Sequence, residues 1–433
     1  MCQSIRVVLP NKFDLVVGDT FQLFFRGVVE APNPYCYDIL ALCEKGQNFP
    51  RYFELTPDCE GTYELMILVC DNNKNILGRA KTLLNIHAVG NSPEKMRNIL
   101  CIGDSLTCGG QWVAEASRRL TAVDGEPIGH GLKNINFIGT CKNGNVGFEG
   151  YGGWTWGSYL TKGVELFSSV WIECKHDKTE ADQHSLWLDE GKNIWKLETI
   201  EAKRLKFTRF NGQSAVKPER NQKLVHYTKT VNMADIECIE TKYENFNPFW
   251  DNDKQDIDFV SYCRKHNFGG IDFVYTLLTW NGISSAVRTN AEDHIKLLTE
   301  AKQFIDKLHS QYPNAKIKIM GLQIPSINGG TGTNYGASLP YCDDYELTRF
   351  VFGLNFAYQS WANEEKYRDF IEFINISAQF DSEYNYPMKY KTVNTRSQKN
   401  ELLGINGVHP SEEGYLQIGD VAYRNMVKIL TKA

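Results

Sequence analysis

Two short segments, far apart in the chain, carry residue types suited to nucleophilic chemistry. Gly103-Asp104-Ser105-Leu106 directly follows the apolar run Ile99-Leu100-Cys101-Ile102. A serine placed there sits at the carboxyl end of a buried strand, where open α/β sheets bind their ligands. The same position is also that of an ordinary helix N-cap, so the tetrapeptide alone does not decide. The second segment is Asn406-Gly407-Val408-His409-Pro410, just before the last helical stretch. A histidine held in a loop by a following proline and helix is well placed as a general base, although singly it is also an ordinary loop residue. Serine early and histidine last together favour a nucleophile and its base over two coincidences.

The elements that must position these residues follow from the hydrophobic pattern. Ile271 to Leu278 reads as a strand, Ala291 to Ser310 as a helix with Ile295, Leu298, Ala301, Ile305 and Leu308 on one face, and Lys316 to Gln323 as the next strand. That order predicts a parallel sheet with helices on both faces. Tyr415, Ile418, Ala422, Met426 and Ile429 form the stripe of the final helix. Before residue 93 the texture differs: TFQLFFRGVV, YDILALC, RYFEL, TYELMILVC and KTLLNIHAV are short strands separated by turn segments. They predict a small Ig-like β-sandwich over residues 1–92, bounded by the Gly, Asn, Ser and Pro of Val89 to Lys95. Residues 93–433 then form the α/β domain, interrupted at about 163–256 by a β-rich insertion that includes SLWLDEGKNIWKL and RLKFTRF.

Composition narrows the function classes. The chain has 433 residues, long enough for two domains, and is 42% hydrophobic and 23% charged. Net charge is −5 with the basic residues scattered, so neither nucleic acid nor a membrane surface is an expected partner. The amino terminus lacks the apolar run of a signal peptide, and no stretch approaches the roughly 18 to 20 apolar residues of a spanning helix. A cytoplasmic location is the expectation, with secretion open if a leader has been removed. The twelve cysteines show no CxxC pair, and the nine histidines form no HExxH or HxH cluster. No metal and no cofactor is expected. Asn328 to Gly336 (NGGTGTNYG) is glycine-rich but lacks a Walker lysine, and reads as a flexible loop over the pocket.

From about Arg97 to its end the chain resembles the SGNH (GDSL) hydrolases, a family whose sequence blocks supply Ser, Gly, Asn and His. GDSL at Ser105 matches the first block, and LTWNG with Asn281 matches the block usually written GxND. NGVHP with His409 matches the last block, usually DxxHP. GYGGWTW supplies the glycine block through Gly153, with Gly152 as its rival. The resemblance implies a flavodoxin-like fold and acyl transfer, with Ser105 attacking an ester carbonyl and His409 taking its proton. It also implies an oxyanion hole made by the N–H groups of Ser105 and Gly153 and the side-chain amide of Asn281. Asp104 is expected to brace the serine turn rather than react.

One departure stands out: where the family carries its triad Asp, this chain has Asn406. An asparagine oxygen can accept the histidine N–H but brings no charge; the corresponding change in trypsin costs about 10⁴ in turnover. Glu149 and Glu401 are near matched blocks in sequence and are the candidate substitutes. Asn406-Gly407 is also prone to deamidation, which would create an acid in place. Trp154, Trp156, Trp250 and Trp280, with Phe249, flank the blocks or end the insertion, and are candidates for stacking on a sugar or lining an acyl slot. The expected function is a serine esterase removing short acyl groups, acetyl first, from a small-molecule or glycan ester. The alternatives are a lysophospholipase or thioesterase, or a weakly active or inactive carbohydrate-binding relative. The oligomeric state is not legible from the sequence.

Overall fold

The computed structural model describes residues 4–162, 167–174, 185–188, 194–209, 224–226, 230–231, 236–243, 247–283, 291–337 and 341–431. The chain divides into two compact units, one formed by Met1–Gly157 with Phe259–Ala433 and the other by Ser158–Asp258.

The first unit is built on a sheet of seven strands: β1 (Arg97–Gly103), β2 (Ile135–Ile138), β3 (Cys141–Asn143), β4 (Val146–Gly150), β5 (Phe273–Leu277), β6 (Lys316–Met320) and β7 (Ile371–Ile374). One edge of β1 pairs in parallel with β2 along its first half and with β4 at its end; β5 pairs with the other edge, followed by β6 and β7, all parallel. Strand β3 is antiparallel to β4. Counting β2 to β4 as one position, the order is 2-1-3-4-5, that of flavodoxin-like sheets. The α/β expectation agrees with this architecture. Strand β1 is an unbroken apolar run because Ile99, Leu100, Cys101 and Ile102 are all fully buried, with no face left for water.

Four long helices accompany the sheet: α1 (Gln111–Thr121), α2 (Ala291–Gln311), α3 (Asp344–Ala362) and α4 (Glu412–Leu430). Helix α1 packs on α4, and α2 packs on α3. The expected stripe of α2 is corrected at its start: Ile295 is 62% exposed, while Leu297 is buried with Ala301, Phe304, Ile305 and Leu308. Ile295 lies two residues, about 200° of rotation, from Leu297 and therefore on the opposite side. Helix α4 starts at the Ser411 N-cap, whose side chain accepts the Gly414 N–H, with Glu412 and Glu413 in its first turn. This start fixes the chain just after His409.

The amino-terminal strands form a sheet of Lys12–Val16, Ile76–His87, Gly61–Cys70 and Asp38–Leu42, a second of Phe21–Phe24, Tyr52–Leu55 and Gln47–Asn48, and a two-stranded pair of Arg6–Val7 with Val29–Glu30. Leu15, Leu23, Phe53, Leu65, Ile67 and Leu84 belong to one shared buried cluster. These sheets are tied ionically to the rest of the unit. Asp19 accepts from Arg119 of α1 at 2.8 Å and from Arg424 of α4 at 2.6 Å. The buried Arg26 donates to Pro325 O at 2.7 Å and to Ser382 Oγ at 2.6 Å.

The second unit is an antiparallel sheet in the order Thr230–Val231, Leu224–His226, Leu186–Leu188, Ile194–Glu201, Arg204–Arg209, Phe167–Cys174 and Ile236–Tyr243. Ile172, Trp187, Trp195, Leu197, Leu205 and Phe207 form its core. Much of the expected β-rich insertion falls here, and parts of it lie outside the described residues. No described helix is long and apolar enough to cross a membrane.

Candidate active site

The turn that leaves β1 is organised by Asp104. Its backbone carbonyl accepts the N–H groups of Thr107 and Cys108, each at 3.0 Å, which curls the chain back and presents Ser105 at the sheet's carboxyl edge. Its side chain is fully buried and accepts the Leu106 N–H at 3.0 Å and the Thr279 N–H at 3.1 Å. Burial pushes the carboxyl up to about 6, against the pull of these donors. Thr279, just past β5, has φ of +135°, a costly conformation for a β-branched residue. It is held from three sides, by Asp104, by the Tyr358 hydroxyl at 2.6 Å and by the Trp156 indole N–H at 3.1 Å.

Ser105 Oγ lies 2.8 Å from His409 Nε2, within hydrogen-bond distance. The loop carrying His409 is fixed from below by the buried Gln323, whose amide donates to Val408 O at 3.0 Å, and by the Ser326 N–H, which donates to Gly407 O at 3.2 Å. Burial lowers the His409 pKa. The Asn406 side-chain oxygen accepts the backbone N–H of Val408 at 3.0 Å and that of His409 at 2.9 Å. Its amide nitrogen therefore faces His409 Nδ1, at 3.3 Å. The expectation that the Asn406 oxygen takes the histidine N–H is thus corrected, because two backbone donors of its own loop already occupy that oxygen. The Tyr335 hydroxyl reaches the same Nδ1 at 3.0 Å.

Tyr335 ends a short helix, Thr331–Tyr335, inside the glycine-rich segment that reads as a flexible loop in the sequence. This segment packs backbone to backbone on the histidine loop. A Cβ at Gly407 would stand 2.1 Å from Thr331 Oγ1 and 2.7 Å from the Thr331 nitrogen, so only glycine permits the approach.

The remaining candidates divide into those near this turn and those in the core. The Asn281 amide donates to Trp154 O at 3.1 Å, which joins the Asn block to the glycine block. Gly153 has φ of +83° and Gly152 does not have a positive φ, so the turn needs glycine at 153. Among the described residues, none accepts a hydrogen bond from the backbone N–H of Ser105 or of Gly153. Trp154, Trp156 and Trp280 are only 5%, 1% and 5% exposed, so their faces are spent on packing. Trp154 stacks on Tyr151 with ring centroids 4.5 Å apart, and the Trp156 indole also donates to Tyr358 at 2.8 Å. Trp250, half-buried, and Phe249, buried, belong to the second unit.

Neither candidate acid reaches the histidine. The buried Glu149 carboxylate is taken up by the Thr140 N–H and hydroxyl and by the hydroxyls of Tyr151 and Tyr262, at 2.5 to 2.9 Å. Glu401 is exposed on a hairpin strand, Asn400–Gly404. Among the described residues, no group of three His, Cys, Asp or Glu could hold a metal ion.

Thr279, Tyr358, Gln323 and Tyr335 all support the site without a motif of their own. Only Tyr335 left a trace in the sequence, as the one aromatic hydroxyl inside NGGTGTNYG.

No protein-family model and no curated protein matches the chain. Similar solved structures include a family 3 carbohydrate esterase from Clostridium thermocellum, 15% identical with a TM-score of 0.36, covering 78% of this chain and 100% of that one. A carbohydrate esterase family 3 protein from Talaromyces cellulolyticus is 10% identical with a TM-score of 0.35, covering 77% and 98%. A carbohydrate esterase family 2 enzyme with its carbohydrate binding domain, from Corynascus thermopiles (Myceliophthora fergusii), is 12% identical with a TM-score of 0.31, covering 99% of both chains. At TM-scores this low the likeness decides neither fold nor function, and the chemistry rests on the geometry of the site.

Proposed function

We propose that the chain is a serine ester hydrolase acting on short acyl esters, acetyl esters first, carried by a carbohydrate or another small molecule. The observation that carries this reading is the 2.8 Å approach of Ser105 Oγ to His409 Nε2 at the carboxyl edge of a parallel sheet. In this reading His409 takes the Ser105 proton as Oγ attacks the ester carbonyl. The oxyanion is met by the N–H groups of Ser105 and Gly153 and by the Asn281 amide, each such donor contributing about 3 to 4 kcal/mol. His409 then passes its proton to the leaving alcohol, and a water molecule activated by the same nitrogen releases the acyl group from Ser105.

The sequence resemblance supplies the finer parts of the proposal: a carbohydrate as acyl carrier, an SGNH hydrolase domain over residues 93–433, and an accessory β-sandwich over residues 1–92. A second reading, a carbohydrate-binding protein of low or no activity, is favoured by one observation. Among the described residues, no carboxylate touches His409 Nδ1.

Hydrolysis of p-nitrophenyl acetate and butyrate by the protein and by Ser105→Ala separates the two. The esterase reading expects acetate to be preferred and Ser105→Ala to lose about 10³-fold or more. Equal rates for the two proteins would overturn it, and binding of acetylated xylan without hydrolysis would establish the second reading.

A further inference from the structure

A histidine that receives the Ser105 proton at Nε2 must carry its own proton on Nδ1, and that Nδ1–H needs an acceptor. Among the described residues, two groups reach Nδ1: the Asn406 amide nitrogen at 3.3 Å and the Tyr335 hydroxyl at 3.0 Å. The orientation of Asn406 is not free. Its oxygen accepts two backbone N–H groups, which can only donate, so the side turned to the ring is the NH₂. An NH₂ beside Nδ1 favours the tautomer with the proton on Nε2. In that tautomer the ring donates to Ser105 and cannot deprotonate it. A phenol oxygen, by contrast, can accept the Nδ1–H. We propose that Tyr335 is the positioning residue of this site, its hydroxyl oxygen taking the Nδ1–H of His409 where a carboxylate is missing and so holding the ring in the tautomer that can accept the Ser105 proton. The inference rests on the esterase reading above.

The surroundings of Tyr335 suit that task. The helix that carries it is pressed onto the histidine loop through Gly407 and Gly330, where a Cβ would stand 2.9 Å from the Asn406 carbonyl carbon. Tyr341 stacks on its ring with centroids 4.9 Å apart. Burial pushes the phenol up, so at neutral pH it stays protonated and accepts as a neutral group. Tyr335 therefore orients the base without adding a charge to stabilise the imidazolium.

The experiment is a double-mutant cycle between Tyr335→Phe and Asn406→Asp in the full chain. It is read by kcat and KM on p-nitrophenyl acetate and by nitrogen NMR of histidine-labelled protein, which reports the tautomer whether or not ester is turned over. Tyr335→Phe is expected to lower kcat about 10- to 100-fold, the loss of one hydrogen bond to a group that becomes charged, with KM nearly unchanged. It should also move His409 toward the Nε2–H tautomer. Asn406→Asp supplies a carboxylate acceptor, so in that background Tyr335→Phe is expected to cost less than about threefold. An unchanged tautomer in Tyr335→Phe, or the same loss in both backgrounds, would overturn the proposal. Ser105→Ala measured alongside keeps the two readings apart. If it retains the wild-type rate, the esterase reading fails; if it is inert while Tyr335→Phe is fully active, only the role of Tyr335 fails.

Discussion

The side-chain carboxylate of Asp104 accepts the backbone N–H of Thr279 at 3.1 Å and that of Leu106 at 3.0 Å, so one buried group joins the turn of Ser105 to the turn of Asn281. Ser105 and Asn281, the proposed nucleophile and oxyanion donor, follow different strands, β1 and β5, and Asp104 links the two turns. Its other consequence is for stability.

Burial raises the Asp104 carboxyl from 3.8 to about 6 in the folded chain. A raised acid binds its proton more tightly folded than unfolded. Its contribution to stability is therefore full below about pH 4 and is lost as pH rises through about 6, a swing of about 3 kcal/mol. Asp104→Asn removes the titration. Urea unfolding of both proteins at pH 4 and pH 7 is expected to show wild type losing about 3 kcal/mol relative to the variant across that interval. A difference independent of pH would sink this assignment.

His409 is shifted the other way, downward, by burial. Among the described residues, the side chains bonded to its ring are those of Ser105, Tyr335 and Asn406, none of them charged at neutral pH. Protonation of Nε2 removes the base, so the acid limb of kcat/KM is expected below about pH 6.5. A carboxylate at position 406 favours the imidazolium, so Asn406→Asp should carry that limb to higher pH while raising the rate. A wild-type limb at or above about 6.5 would contradict the assignment of His409 as a buried, uncharged base.

The close approach of Gly407 to Thr331 gives a third test. Gly407→Ala forces the histidine loop away from the Thr331–Tyr335 helix, and displacements of about 1 Å cost up to about 100-fold in rate. Thermal unfolding and circular dichroism establish that the variant is folded. A folded Gly407→Ala with the wild-type kcat would show that the two loops need not touch for turnover.

The parallel sheet and the pairing of Ser105 with His409 were legible because each depends on a local signal. The short Ile99 to Ile102 run, bounded by Gly103, reads as a strand covered on both faces, with a turn after it. The NGVHP segment is bounded by a proline and a strong helix start. What was not legible depends on contacts between distant segments. The Asn406 oxygen is the local exception, since asparagine commonly accepts the backbone N–H groups just after it, here those of Val408 and His409. Nothing in NGGTGTNYG shows that Tyr335 will meet His409, because the constraint is shared with Gly407 elsewhere in the chain. The tryptophans misled for a related reason: aromatic residues beside a motif serve its packing as readily as its substrate, and here three of them are buried. On α2 the buried stripe takes in Leu297 and not Ile295, since the two lie on opposite sides of the helix.

The ion pairs of Asp19 with Arg119 and Arg424 bear on how this protein can be taken apart. The segment from Val89 to Lys95 looks, in the sequence, like a seam at which an engineer would cut. A carboxyl-terminal part severed there would lose Asp19, the carboxylate that bonds both Arg119 and Arg424; Arg119 would keep its second carboxylate, Asp420, while Arg424 would lose the one its side chain is bonded to. A foreign amino-terminal module would have to bring its own acid to this spot to restore the pair with Arg424.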